Sequence, residues 1–244
     1  MREQRWFKKI LFYYFPRYLR PLSHQHKPIN VYYKHLTPEE RKSFEWRAFY
    51  FLNTTSIEFR GFSGTELINQ NAVRYLIASV ATQMSLFLTE DCFDAFHRII
   101  IYPDDYYSRI TKQYHKGETN PSAGYIILSY PSFRKGFDNS TDGINLLMHE
   151  LAHALWLENK FYDYEIFDPQ ALEHYQQIAE VELATMRETE DHFLRKYART
   201  NAEEFFAVTV ENFFERPAAL KNALPHLYQA MVRLLNQDSL KLQS

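Results

Sequence analysis

Two histidines four residues apart, His149 and His153, with Glu150 directly after the first, stand in the stretch "LLMHELAHALW". On an α-helix, residues i and i+4 lie one above the other, roughly 6 Å apart, so both imidazoles can converge on one ion. Glu150 lies about 100° round from His149 and can reach a water beside that ion. This is the physical basis of HExxH as a zinc peptidase signature: two nitrogen ligands and a carboxylate general base. Zinc lowers the pKa of water, and the carboxylate takes its proton as it attacks a carbonyl. The alternative is a helix whose histidines merely find local hydrogen bonds. Context favours zinc, because Ile144, Leu147, Met148, Leu151, Ala152 and Leu155 continue a helical apolar pattern without a break. Thr141 or Asp142 can cap its start.

Two histidines leave room for a third protein ligand from another element. No histidine follows in the HExxHxxGxxH spacing, so the metzincin pattern is absent. The downstream stretch "TNAEEFFAVTVENFF" offers Glu203, Glu204 and Glu211. Glu204 and Glu211 share one helix face, and Glu203 points about 100° away. Thr200 with Glu203 fits a capping box, which assigns Glu203 a structural role and leaves Glu204 near the helix start. A competing assignment makes Asn201 the cap and Glu204 its partner. Spacing favours Glu204 as the ligand over the other two acids.

The elements that must hold these groups can be read in outline. "LTPEERKSFEWRAFYFL" opens with Thr37, Pro38 and Glu40, a capping box with proline at the first helical position, and predicts a helix to about Leu52. "SIEFRGF", "HRIIIYP" and "GYIILSY" read as short strands. "ELINQNAVRYLIASVATQMSLF" reads as a long helix, and the tyrosine-rich stretch after Pro103 as a hairpin or a loop. "PSFRKGFDNSTDG" reads as a loop before the HExxH helix. A polar helical region follows from about Pro169 to Lys196, then the Glu204 helix and two short helices. Helices framing a small sheet make an α+β domain, mainly helical, with the sheet beside the HExxH helix.

Composition narrows the rest. With 45% hydrophobic and 24% charged residues in 244, the chain suits one globular domain with a sizeable core. The net charge of −2 gives no argument for direct nucleic-acid binding, and no GxGxxG or Walker pattern appears. A single cysteine, Cys92, excludes an intrachain disulfide framework and fits a cytoplasmic, reducing setting. Residues 1–35 form a separate segment, basic and aromatic, expected to pack on a single domain spanning 36–244. Six basic residues against one acidic residue in the first twenty also allow a peripheral membrane contact there. Its apolar run is too short to span a bilayer, so no transmembrane segment is expected.

"HELAH", followed some fifty residues later by "TNAEEFFAVTVENFFERP", resembles the Mlc titration factor A family of zinc-dependent peptidases. "IIIYPDDYY", "GYIILSYPSF" and the TPEER helix extend the likeness over roughly residues 35 to 220. "YARTNAEEFFA" is also similar to the protease domain of lethal-factor-type toxins, which implies a gluzincin-like core in a zincin-like domain. The resemblance implies one Zn2+ ligated by His149, His153 and Glu204, with Glu150 as general base. It also implies Tyr197 as a hydroxyl donor to the oxyanion and Glu211 as an acid orienting a ligand histidine. The family commonly has aspartate three residues after the second histidine; Trp156 stands there instead.

The reading is therefore a zinc metallopeptidase acting on a peptide or protein, with the substrate laid along "GYIILSY" as a sheet edge. The alternative is a regulatory binding protein. The resembled family takes its name from sequestering a transcriptional repressor of sugar uptake, so a repressor is the implied partner.

Overall fold

A computed structural model describes residues 27–63, 68–89, 91–108, 112–162 and 164–242. The basic aromatic segment falls outside the described residues up to residue 26. The order of elements is α1 (Lys27–His35), α2 (Pro38–Thr54), β1 (Ser56–Phe59), α3 (Gln70–Ser85), β2 (Arg98–Tyr102), β3 (Tyr106–Ser108), β4 (Gln113–His115), β5 (Gly117–Asn120) and β6 (Tyr125–Ser129). Then come α4 (Tyr130–Asp138), α5 (Leu146–Phe161), α6 (Pro169–Glu188), a 3-10 turn (Lys196–Arg199), α7 (Ala202–Glu215), α8 (Pro217–Ala223) and α9 (Pro225–Leu234). The fold is α+β and mainly helical, as the patterning predicts. No helix among the described residues is long and apolar enough to cross a membrane.

Local chemistry sets several of these boundaries. Both arms of the α2 capping box form, Glu40 N–H to Thr37 and Thr37 N–H to Glu40, with Pro38 in the first turn. The segment expected as a loop after "GYIILSY" contains helix α4. Pro131 sits in the first turn, where its missing N–H costs nothing. Phe133 and Phe137 then meet on one face, ring centroids 4.9 Å apart.

β1, β2, β6 and β5 form one sheet in that order. The first three are parallel, and β5 runs antiparallel to β6. This corrects the expected sheet edge: "GYIILSY" supplies β6, an interior strand paired on both sides. Ile126, Ile127 and Leu128 are all buried, the continuous apolar run of a strand covered on both faces. The edge beside the HExxH helix is instead β5, "GETN". The tyrosine-rich stretch makes a separate hairpin of β3 and β4 that leads into it.

α5 packs against α7, β5, β6, α3 and α4. Leu147, Leu151, Ala152, Ala154 and Leu155 are fully buried, so the helix is embedded rather than laid on the surface. It starts at Leu146, later than the pattern suggests. Asn145 is the cap, its side chain accepting from Met148 N–H at 3.2 Å, a contact worth about 1 kcal/mol. Ile144 therefore lies outside the helix and is half exposed. Asp142, one of the expected caps, accepts from Ile144 N–H instead.

Trp156 has a packing role. Its ring lies 5.0 Å from Phe206 on α7 and 6.2 Å from Tyr175 on α6. It joins the helix bearing the histidines to the helix bearing Glu204. Two residues on, fully buried Glu158 accepts backbone N–H bonds from Phe93 (2.6 Å) and Ala95 (2.7 Å), anchoring the loop before β2. Burial pushes its carboxyl up to about 8, against those two bonds. The unfolded chain ionises this group near 4.3, so the folded state holds the proton more tightly between the two values. Its contribution to stability is full below about pH 4 and is lost as pH rises to about 8. In Glu158→Gln the fall in melting temperature over that range should flatten; an unchanged slope would assign the titration elsewhere.

Candidate metal centre

His149 and His153 stand one turn apart on α5, with ring nitrogens Nε2 3.1 Å from each other. Glu204 comes from the first turn of α7, and its Oε2 lies 3.0 Å from His149 Nε2 and 3.5 Å from His153 Nε2. The sequence of α7 explains this reach. Ten consecutive residues, Phe205 to Phe214, are buried, so the helix is held on every side. Its opening turn, with Glu203 and Glu204, is only partly buried. Asn201 caps it, accepting from Glu204 N–H at 2.8 Å, which fixes the backbone under the carboxylate. The expected Thr200–Glu203 box does not form. Thr200 donates to Tyr197 C=O, and Glu203 pairs with Lys160 at 2.9 Å.

The chemistry of this cluster demands a cation. His149 Nδ1 meets Glu211 Oε1 at 2.7 Å, so that nitrogen carries the proton given to the carboxylate. The neutral ring then presents an Nε2 lone pair to Glu204 Oε2 at 3.0 Å, two acceptors facing each other with no hydrogen between them, and His153 Nε2 stands 3.1 Å from the first. Either a proton or a metal ion must fill the gap. Burial alone lowers the pKa of His149, but Glu204 and Glu211 outweigh it and hold it up at about 10. Burial pushes the Glu204 carboxyl up, and the two imidazoles drive it well below the usual carboxylate range. Both shifts express the same need for positive charge. His149, His153 and Glu204 each offer one ligand atom, all within 4.8 Å of one another, and they fit a metal ion.

Glu150 is buried beside them, and burial raises its pKa against the pull of His149, His153 and Thr119. The single hydroxyl hydrogen of Thr119 on β5 is shared between Glu150 Oε2 at 2.8 Å and the Glu150 backbone C=O at 3.0 Å. Gly117, two residues earlier on the same face, makes the room. A Cβ there would lie 2.7 Å from Glu150 Cδ and 2.8 Å from Leu146 Cδ1. Nothing in the sequence singles out either residue, because their role depends on a strand pairing formed by distant residues. Gly117→Ala should displace the Glu150 carboxylate and slow any reaction that carboxylate serves by at least about tenfold, with metal content unchanged. Full activity in that variant would mean that Glu150 can work from a shifted position.

Tyr197, on the 3-10 turn, is half exposed and donates its hydroxyl to Glu204 Oε1 at 3.1 Å. Burial, with Glu204 adding, pushes the phenol up to about 12, so it stays a donor at neutral pH. Beneath the cluster, Glu211 is fully buried and accepts four bonds. His149 and Arg195 Nη2 reach Oε1 at 2.7 and 2.8 Å; Asn145 N–H and Arg195 Nη1 reach Oε2 at 2.8 and 2.9 Å. All five residues singled out for ligation or catalysis thus meet in one place. Arg195 escaped notice because a lone arginine in a polar segment carries no pattern.

A histidine pair on an embedded helix and an acid from a second helix, with a buried carboxylate beside them, make a site that could hold a metal ion. The chain belongs to the family described as glucose-regulated metallo-peptidase M90, whose model matches residues 3–235. An uncharacterized protein of Synechocystis sp. is 27% identical over 221 residues, 82% of this chain and 78% of that protein. Proteins named Mlc titration factor A from Yersinia enterocolitica and Yersinia pestis are 29% and 30% identical over 175 and 167 residues. Those matches take in 60% of this chain, which spans about 60% of the length of the Yersinia proteins.

Proposed function

We propose that this protein is a zinc-dependent peptidase whose ligands are His149, His153 and Glu204. The observation that carries the reading is the convergence of three lone-pair atoms from two helices, with a buried carboxylate beside them. Bound zinc supplies Lewis acidity, which lowers the pKa of water and polarises a carbonyl. The chain's own groups do the rest. Glu150, steadied by Thr119, accepts the proton of the attacking water and delivers it to the leaving amine. The Tyr197 hydroxyl swings from Glu204 to the developing oxyanion. The substrate pairs with β5, which is an edge strand of the sheet among the described residues.

The name of the Yersinia relatives favours a second reading, in which the chain binds a transcriptional repressor and catalysis is secondary. The test is metal analysis of the purified protein, with cleavage of a mixed peptide library before and after chelation. One zinc per chain, and cleavage lost on chelation and restored by zinc, is the expected result. A zinc-free protein that still cleaves would refute the mechanism. Zinc uptake with no cleavage, alongside capture of a repressor, would favour the second reading.

A further inference from the structure

Arg195 is tied at once to the metal centre and to the turn that carries Tyr197, and no part of the chemistry above requires that connection. Its guanidinium grips both oxygens of Glu211 and also donates to Gly143 C=O at 2.8 Å, just before the helix of the histidines. Glu211 in turn holds His149 Nδ1 and the backbone N–H of Asn145. The same arginine is the residue from which the Lys196–Arg199 turn springs, and its Cζ lies 5.9 Å from the centroid of the Tyr197 ring. Tyr197 closes the loop by donating to Glu204, which meets His149 from the other side. The path runs His149, Glu211, Arg195, Tyr197, Glu204 and back to His149.

The geometry points to Arg195 as a positioning residue that couples the metal ligands to the Tyr197 turn, so that filling the metal centre orders the turn. The inference rests on the proposed metal-binding reading. Its physical basis is the planar fork of the guanidinium. Two parallel bonds to one carboxylate fix its orientation as well as its place, and the backbone of the next residues inherits that orientation. A metal that draws His149 and Glu204 to itself tightens both ends of the path at Tyr197. Without the fork, the turn keeps its buried Ala198, the Lys196–Glu190 pair, the Tyr197 ring beside His149 and the Tyr197 hydroxyl bond to Glu204, but it loses its tie to the carboxylate that holds His149 Nδ1.

The test is amide hydrogen exchange of the full chain with and without zinc, in the wild type, Arg195→Ala and Arg195→Lys. Zinc affinity is measured in parallel by chelator competition. Lysine keeps the charge opposite buried Glu211, so the fold survives, but it cannot make the two-oxygen fork. In the wild type, zinc should slow exchange both at the start of α5 and at Lys196–Arg199. In Arg195→Lys, zinc should still bind, about 10–100-fold more weakly, and still protect α5. Its added protection of the turn should shrink at least about tenfold. A merely structural arginine would lower protection equally with and without zinc, leaving the zinc-induced difference intact. That result, or a wild-type turn indifferent to zinc, overturns the coupling alone. Wild-type protein that takes up no zinc overturns the metal reading and the coupling with it.

Discussion

Glu150→Gln should lose peptide hydrolysis by about 10³-fold while keeping its metal, since general-base catalysis contributes roughly 10²–10⁴. The substitution is close to isosteric and leaves an amide oxygen to accept the Thr119 hydroxyl bond, so the neighbourhood need not rearrange. It removes a charge that burial disfavours, so the melting temperature should hold or rise. Initial rates on a cleavable peptide, zinc content and thermal melting, measured on one preparation, check all three expectations. Hydrolysis at the wild-type rate with zinc still bound would remove Glu150 from the mechanism. The same variant separates the two functional readings, because repressor capture should be indifferent to it.

The second large effect is expected on the ligand set. Glu204→Ala should weaken zinc binding by on the order of 10³-fold, about 4 kcal/mol of the roughly 10–16 kcal/mol typical of a structural zinc. Glu203→Ala is the control. Its carboxylate pairs with Lys160 in a surface contact worth about 0–1 kcal/mol, and zinc binding should not change. Chelator competition on both variants decides the matter. Undiminished affinity in Glu204→Ala would hand the third position to another acid. Glu211 is a poor replacement, because His149, Asn145 and Arg195 already saturate its oxygens.

These expectations rest on parts of the molecule that were unequally legible in the sequence. The HExxH helix, the capped start of α2 and the strands β1, β2 and β6 were readable, because each is written in local periodicity or in a cap three residues long. The proposed ligands were readable for the same reason: one helix turn relates His149 to His153, and a helix start exposes Glu204. Failures came where distant residues decide. Ile144 continues the apolar phase, yet the helix begins after it, because Glu211, from another helix, takes the Asn145 N–H. β6 carries the composition of a strand, but its place inside the sheet depends on β5, whose "GETN" has no strand signal at all. Glu204 was singled out partly on a cap that belongs to Asn201. Trp156 looked anomalous in a polar motif and is ordinary once Phe206 and Tyr175 are beside it.

The edge position of β5 has a consequence for the protein's life at high concentration. Among the described residues β5 borders the sheet, and an edge strand that can pair with a peptide can equally pair with the border of a second copy, the usual seed of aggregation. Here the open border is only four residues long and polar throughout. Glu118 and Asn120 place a carboxylate and an amide where an intruding strand would need apolar partners. The composition that hides β5 from pattern reading is thus also what guards an exposed edge against self-association.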